Sequence, residues 1–138
     1  GNMTNAGTYT VAAVNNTTGC ANNMSGSATV VVNPLPIVHS VIGGGAYCNG
    51  GTGVEVALSG SQTGVTYQLF NGATPVGGVL NGTGDILSYG LQTAVGTYSI
   101  VATNTTTTCV SNMSGTATVS LNALPAVYAV TGGGNYCN

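Results

Sequence analysis

The sequence predicts an all-β chain folded as an antiparallel β-sandwich. Three observations lead there. Apolar and polar residues alternate at a period of two along much of the chain, and no segment carries a helical period of apolar residues. Turn-forming residues interrupt that alternation every 8–12 residues or so, the rhythm of a sandwich. Val, Ile and Thr are abundant, while the 138 residues include only two acidic side chains, one histidine, and no Lys or Arg.

The elements follow in order. Val54, Val56 and Leu58 alternate with Glu55, Ala57 and Ser59; Tyr67 and Leu69 alternate with Thr66, Gln68 and Phe70. Tyr98, Ile100 and Ala102 alternate with Thr97, Ser99 and Thr103, and Val101 adds an apolar side chain to the outward face. Ala117, Val119 and Leu121 alternate with Thr116, Thr118 and Ser120. Such patterns fit strands with one face buried. Ser59-Gly60-Ser61, Asn71-Gly72, Asn81-Gly82 and Ala94-Val95-Gly96 supply the turns. Strands are therefore expected near 38–42, 53–59, 65–71, 75–80, 85–91, 96–104 and 114–122.

An internal repeat fixes the frame. Gly7-Thr8-Tyr9 returns as Gly96-Thr97-Tyr98, Cys20 as Cys109, Met24-Ser25-Gly26 as Met113-Ser114-Gly115, and Tyr47-Cys48-Asn49 as Tyr136-Cys137-Asn138. Each offset is 89, and residues 1–49 match residues 90–138 at 28 positions. The expectation is a stretch of a longer tandem array; the alternative is that neighbouring subunits complete one another's domains. Seven strands in about 89 residues match an immunoglobulin-like domain in size.

Leu35-Pro36 and Leu124-Pro125 are the natural joints, because proline fixes φ and donates nothing to a ladder. The expected organisation is 1–35 as the C-terminal part of one repeat, 36–125 as a complete repeat and 126–138 as the start of the next. Tyr98 and Tyr9 each open a strand just after a glycine turn. There a hydroxyl can bond nearby backbone as in a tyrosine corner, or the ring can simply fill the core.

Composition excludes several functions. Without a basic side chain nothing neutralises phosphates, which argues against nucleic-acid binding, and no polybasic patch holds an anionic membrane surface. The longest apolar runs, such as Val30-Val31-Val32, are far too short for a spanning helix, so direct membrane insertion is not expected. The opening Gly1-Asn2-Met3-Thr4 lacks the basic flank and apolar core of a signal peptide; a secreted parent would carry one upstream.

Taken together, Tyr47-Cys48-Asn49-Gly50-Gly51, Val54-Glu55-Val56-Ala57-Leu58-Ser59-Gly60, Val65-Thr66-Tyr67-Gln68-Leu69, Gly96-Thr97-Tyr98-Ser99-Ile100, Cys109, Ala117-Thr118-Val119 and Leu124-Pro125 resemble one repeat of the tandem immunoglobulin-like domains of large bacterial secreted surface adhesins of the gliding-bacterium type. The resemblance covers the whole chain. It implies an extracellular filament or stalk whose partners are neighbouring copies of the same repeat, with lateral fibre contacts. It implies no catalytic residue. A glycan- or protein-binding module, using exposed Tyr67, Tyr89 or Phe70, is the alternative.

Four cysteines in a chain of export character suggest disulfides. Two pairings respect the period: Cys48 with Cys109 inside one repeat, or Cys20 with Cys48 and Cys109 with Cys137 across the joints. The first is favoured. It would contribute roughly 4 kcal/mol in the chain-entropy model. Reduced thiols are the third option. No cofactor and no metal is expected: there is no Cys-x-x-Cys, His39 is replaced by Tyr128 in the second copy, and Glu55 and Asp85 are too few carboxylates for calcium. As a pair, Glu55 and Asp85 are a weak candidate glycosidase dyad, and His39 a weak candidate base; an enzyme is not expected. Gly43-Gly44-Gly45 precedes neither a helix nor a lysine, so it reads as a bent strand connection. Asn15, Asn16, Asn23, Asn81, Asn104 and Asn112 head Asn-x-Ser/Thr triplets, and Thr105-Thr106-Thr107-Thr108 is a threonine-rich loop, so glycans are candidate additions.

Overall fold

The computed structural model of the chain describes residues 1–137. It is all-β, and contacts divide it into two compact units after Leu35.

The first unit is two short ladders. β1 (Gly7–Tyr9) pairs antiparallel with β4 (Ala28–Val30), and β2 (Ala12–Val14) pairs antiparallel with β3 (Ala21–Asn23). Asn15 turns the chain between β2 and β3: its side-chain oxygen accepts from the N–H groups of Thr17 and Thr18 at 2.9 and 3.0 Å. Tyr9 and Val30 are half-buried, and Met3, Val11 and Met24 are exposed around them.

The second unit contains β5 (Val41–Gly43), β6 (Gly45–Cys48), β7 (Val54–Leu58), β8 (Val65–Asn71), β9 (Thr74–Asn81), β10 (Leu87–Gln92), β11 (Gly96–Asn104), β12 (Val110–Asn112) and β13 (Ala117–Asn122). One sheet has the order β10-β7-β5; the other runs β6-β13-β11-β8-β9, with β12 also on β11. All pairings are antiparallel except β6 with β13. The inward faces close sandwich-like on one core: Val56 and Leu58 from the first sheet meet Tyr67, Leu69, Tyr98, Ile100 and Val119 from the second. Each large aliphatic side chain removed from water there contributes roughly 1.5–3 kcal/mol.

The period-two reading finds most of these strands and misses two. Of the expected strand at 38–42, only Val41 and Ile42 join a ladder. Residues 38–40 hold only an isolated bridge, Ser40 to Ser114, and the ladder starts at Val41. It then breaks at Gly43-Gly44-Gly45, with φ of 94°, 81° and 135°, and resumes as β6 on the other sheet. A side chain at Gly43 or Gly44 would run into the Glu55 carbonyl or the Thr118 backbone, which is why the crossing is made of glycine. β12 is also unforeseen, because Val110-Ser111-Asn112 carries no alternation long enough to read.

The ladders of the two units agree in register at the 89-residue offset. Gly7↔Val30, Thr8↔Thr29 and Tyr9↔Ala28 correspond to Gly96↔Val119, Thr97↔Thr118 and Tyr98↔Ala117. Ala12↔Asn23, Ala13↔Asn22 and Val14↔Ala21 correspond to Val101↔Asn112, Ala102↔Ser111 and Thr103↔Val110. Beyond β13, residues 123–137 form no strand; Val127, Tyr128, Val130 and Tyr136 are exposed. Val41, the counterpart of Val130, is buried because β7 lies beside it.

Candidate functional site

The second unit has two ends, and strand register says which residues share each. At the leading end the chain enters through buried Pro36; the Ile37 N–H donates to the Gln62 side chain, and Ser114 N–H donates to the His39 carbonyl. The β11–β12 turn lies here too. Its Asn104 side-chain oxygen accepts from Thr106 and Thr107, and the Asn104 N–H donates to the Cys109 carbonyl at 2.9 Å. Thr108 in that turn has φ of 58°. At the trailing end β13 leaves at Asn122, paired with Cys48, and Asn49 N–H donates to the Asn122 carbonyl. Tyr47 donates to the Thr93 carbonyl at this same end. Pro125 lies three residues beyond Asn122 and is exposed.

This geometry corrects the favoured disulfide. Cys20, Cys48, Cys109 and Cys137 are all free thiols in this structure, so neither expected pairing is formed. For Cys48 and Cys109 the reason is topological. Cys109 is level with Asn104, while Cys48 is level with Asn122, beyond the Gly96 end of β11. About eleven residues of strand separate them, roughly 35 Å, whereas a disulfide needs Cα atoms within about 7 Å.

The tyrosines fall into distinct places. Tyr98 is fully buried and donates its hydroxyl to the Ala94 carbonyl at 2.7 Å; Tyr9 donates to the Asn5 carbonyl at 2.9 Å, also four residues upstream. Tyr67, expected at the surface, is wholly buried, because an inward position on β8 points it into the core. Its hydroxyl accepts from the Gln62 N–H at 2.8 Å, so it cannot serve as a contact residue. Phe70 is half-buried on the opposite face of β8.

Tyr89 borders a hollow of the second unit that has polar and apolar walls. A space of about 180 Å³ lies between β9 and β10, lined by Leu69, Val76, Gly77, Gly78, Leu80, Ser88, Tyr89 and Gln92. The Tyr89 hydroxyl is shielded from solvent with no hydrogen-bond partner. Burial, and secondly the neighbouring Tyr67, push its pKa up to about 12. Gln92 donates to the Tyr89 carbonyl at 2.8 Å and braces the bulge in β10 between Ser88 and Leu91. The hollow is smaller than the ~300–1,000 Å³ of typical small-molecule pockets, so it suits one small group.

The remaining polar candidates are scattered. Glu55 is exposed on β7 and accepts from the Ser88 hydroxyl at 2.6 Å. Asp85 is exposed in the loop before β10; its backbone carbonyl accepts from buried Ser61, whose oxygen also accepts from the Thr83 and Gly84 N–H groups. Since Leu87 pairs with Leu58 and Leu91 with Glu55, Asp85 lies about five residues along the sheet from Glu55. That is roughly 16 Å, beyond the ~5–9.5 Å of a glycosidase pair. His39 is half-buried beside Gly60, its Nε2 without a partner. Among the described residues, no group of three or more His, Cys, Asp or Glu side chains converges, and no helix is long and apolar enough to cross a membrane. No protein-family model and no curated protein sequence matches the chain.

Proposed function

We propose that the chain is a structural segment of tandem immunoglobulin-like domains from an extracellular bacterial filament, fibre or adhesin stalk. The observation that carries this reading is the agreement of ladder register between residues 7–30 and 96–119 at an offset of 89. The side chains that fill the core in the second unit, Tyr98, Ile100, Met113, Ala117 and Val119, have counterparts Tyr9, Val11, Met24, Ala28 and Val30 in the first. Together with Met3 and neighbouring residues, these counterparts line an apolar hollow of about 520 Å³. Such a face is what a domain's last strands present when the strands that cover them are supplied by preceding residues.

The immunoglobulin-like assignment is supported by the first strand's division between the sheets: β5 beside β7 in one, β6 beside β13 in the other. The tyrosine bonding back to a carbonyl four residues upstream fits as well. In this reading each unit meets only its neighbours, and length grows by repetition. A surface without Lys or Arg offers trypsin no cleavage site and carries little self-repulsion, which suits long exposure outside a cell and lateral bundling.

The test is a lengthened chain: residues 1–125 followed by a second copy of 37–138, so that Pro125 takes the place of Pro36. Small-angle scattering should show the longest dimension growing by roughly 35–40 Å, one strand-length plus turns. A particle that thickens without lengthening overturns the reading. The Tyr89 hollow favours a second reading, a glycan- or protein-binding module. Specific retention of one glycan class on an array, lost in Tyr89→Ala, would make that the better description.

A further inference from the structure

The two cysteines of each repeat sit at opposite ends of the unit, and the period turns that separation into a pattern. Resting on the tandem reading above, we infer that Cys48 of one copy is joined by a disulfide to the Cys109 counterpart of the next copy along the chain. Each joint is thereby crossed twice, once by the peptide and once by sulfur. This pairing is neither the bond inside a repeat nor the bond from Cys109 to Cys137.

Cys48 ends β6 level with Asn122, where β13 leaves the unit. Pro125, which matches Pro36, follows three residues later, a span of at most ~11 Å. Pro36 shares the leading end with the Asn104–Cys109 turn: Ile37 donates to Gln62, the Gln62 carbonyl accepts from Val65 N–H, and Val65 pairs with Asn104. A copy that begins at Pro125 therefore presents its Cys109 counterpart at the end where Cys48 of the preceding copy is found. Within one unit the two cysteines also share a flank. β6 is next to β13, and β12, which Cys109 precedes, takes the same side of β11 as β13. Both sulfurs thus belong to one flank, roughly two strand spacings, or ~10 Å, across. Neighbouring Tyr47 turns into the core, so Cys48, next on the strand, faces outward and is exposed; Cys109 is half-buried. Under this pattern the partners of all four cysteines belong to neighbouring copies, in keeping with four free thiols here.

Each bond forms by oxidation of two thiols. Two electrons and two protons pass to a small-molecule disulfide, such as oxidised glutathione, which leaves as two thiols.

The lengthened chain tests this, oxidised with glutathione disulfide at low protein concentration. Cleavage after glutamate cuts once per copy, at Glu55 and its counterpart, and gives three fragments. The expected non-reduced map ties the first fragment to the last and leaves the middle one separate, and Cys48→Ser abolishes the link. A link from first to middle, a bond confined within the middle fragment, or thiols that all stay free overturns the proposal. Calorimetry of the same chain keeps the two readings apart. An unfolding enthalpy increased by one domain's worth with no first-to-last link sinks the disulfide alone, whereas an unchanged enthalpy sinks the tandem reading and the disulfide with it.

Discussion

Thr108 is the one non-glycine residue among residues 1–137 with a left-handed backbone, at φ of 58°, and the residue at its counterpart position is Gly19, at φ of 74°. The two sit in equivalent turns, each closed by an asparagine side chain and by an N–H returning to that asparagine's carbonyl. A β-branched residue in that region costs roughly 1–2 kcal/mol, part of which a glycine loses again through a freer unfolded chain. Thr108→Gly is therefore expected to stabilise the second unit by about 1 kcal/mol, read as a higher urea midpoint at unchanged slope. Tyr98 argues the reverse case. Its buried hydroxyl bonds the exposed Ala94 carbonyl, which water can satisfy if the hydroxyl goes. Tyr98→Phe should then destabilise by about 1 kcal/mol, while Tyr9→Phe, at the more open counterpart, should leave the same midpoint unmoved. A tyrosine next to a glycine turn is a local signal, so its place was legible. Tyr67, expected at the surface, is inward in step with Leu69, and its single partner, the Gln62 N–H, is visible only once the loop is folded.

At the scale of the element, the outcome depends on whether a strand's signal is local. β8, β11 and β13 have six to nine residues with clear alternation, and sequence places each within three residues of its observed ends. The crossing from β5 to β6 has no such signal. A run of three glycines says only that the backbone is free; that it passes from one sheet to the other depends on β7 and β13 waiting on either side. Likewise the Cys48–Cys109 pairing fails on order along the strands, a property of topology that spacing in sequence does not carry. The crossing is testable. An added methyl at Gly44 would meet the Thr118 carbonyl oxygen at 2.7 Å and its nitrogen at 2.9 Å, whereas at Gly45 it meets nothing within 4 Å. Gly44→Ala must push β13 away from β6 or abandon a φ of 81°, and should cost about 3 kcal/mol or more. Gly45→Ala carries only backbone strain of about 1 kcal/mol. Hydrogen exchange should report the difference at β6 and the end of β13, with the β7–β10 ladder protected in both variants.

At the scale of the whole molecule, the near absence of charge decides how stability responds to solvent. Two carboxylates, one imidazole and no Lys or Arg leave few surface ion pairs for salt to screen. The thermal midpoint should accordingly stay within a degree or two between low salt and ~0.5 M sodium chloride. The alkaline response is set by Tyr89. Its pKa stands at about 12 in the folded chain, against 10.0 for an ordinary tyrosine, because burial disfavours the phenolate. The unfolded chain thus gives up this proton at lower pH than the folded chain does. The contribution of the neutral phenol is fully present below pH 10 and is lost as pH rises from there toward 12. Since Tyr89 is only half-buried, solvent screening makes the loss smaller than the full shift would give. Tyr89→Phe removes the titrating hydroxyl and leaves the ring in place. Its urea midpoint should fall less steeply than that of the parent chain between pH 10 and 12, while below pH 9 the variant should be at least as stable, because the hydroxyl has no partner to lose. Equal slopes in the two proteins would show that Tyr89 ionises as easily in the folded chain as in the unfolded one, and that the hollow beside it is open to water.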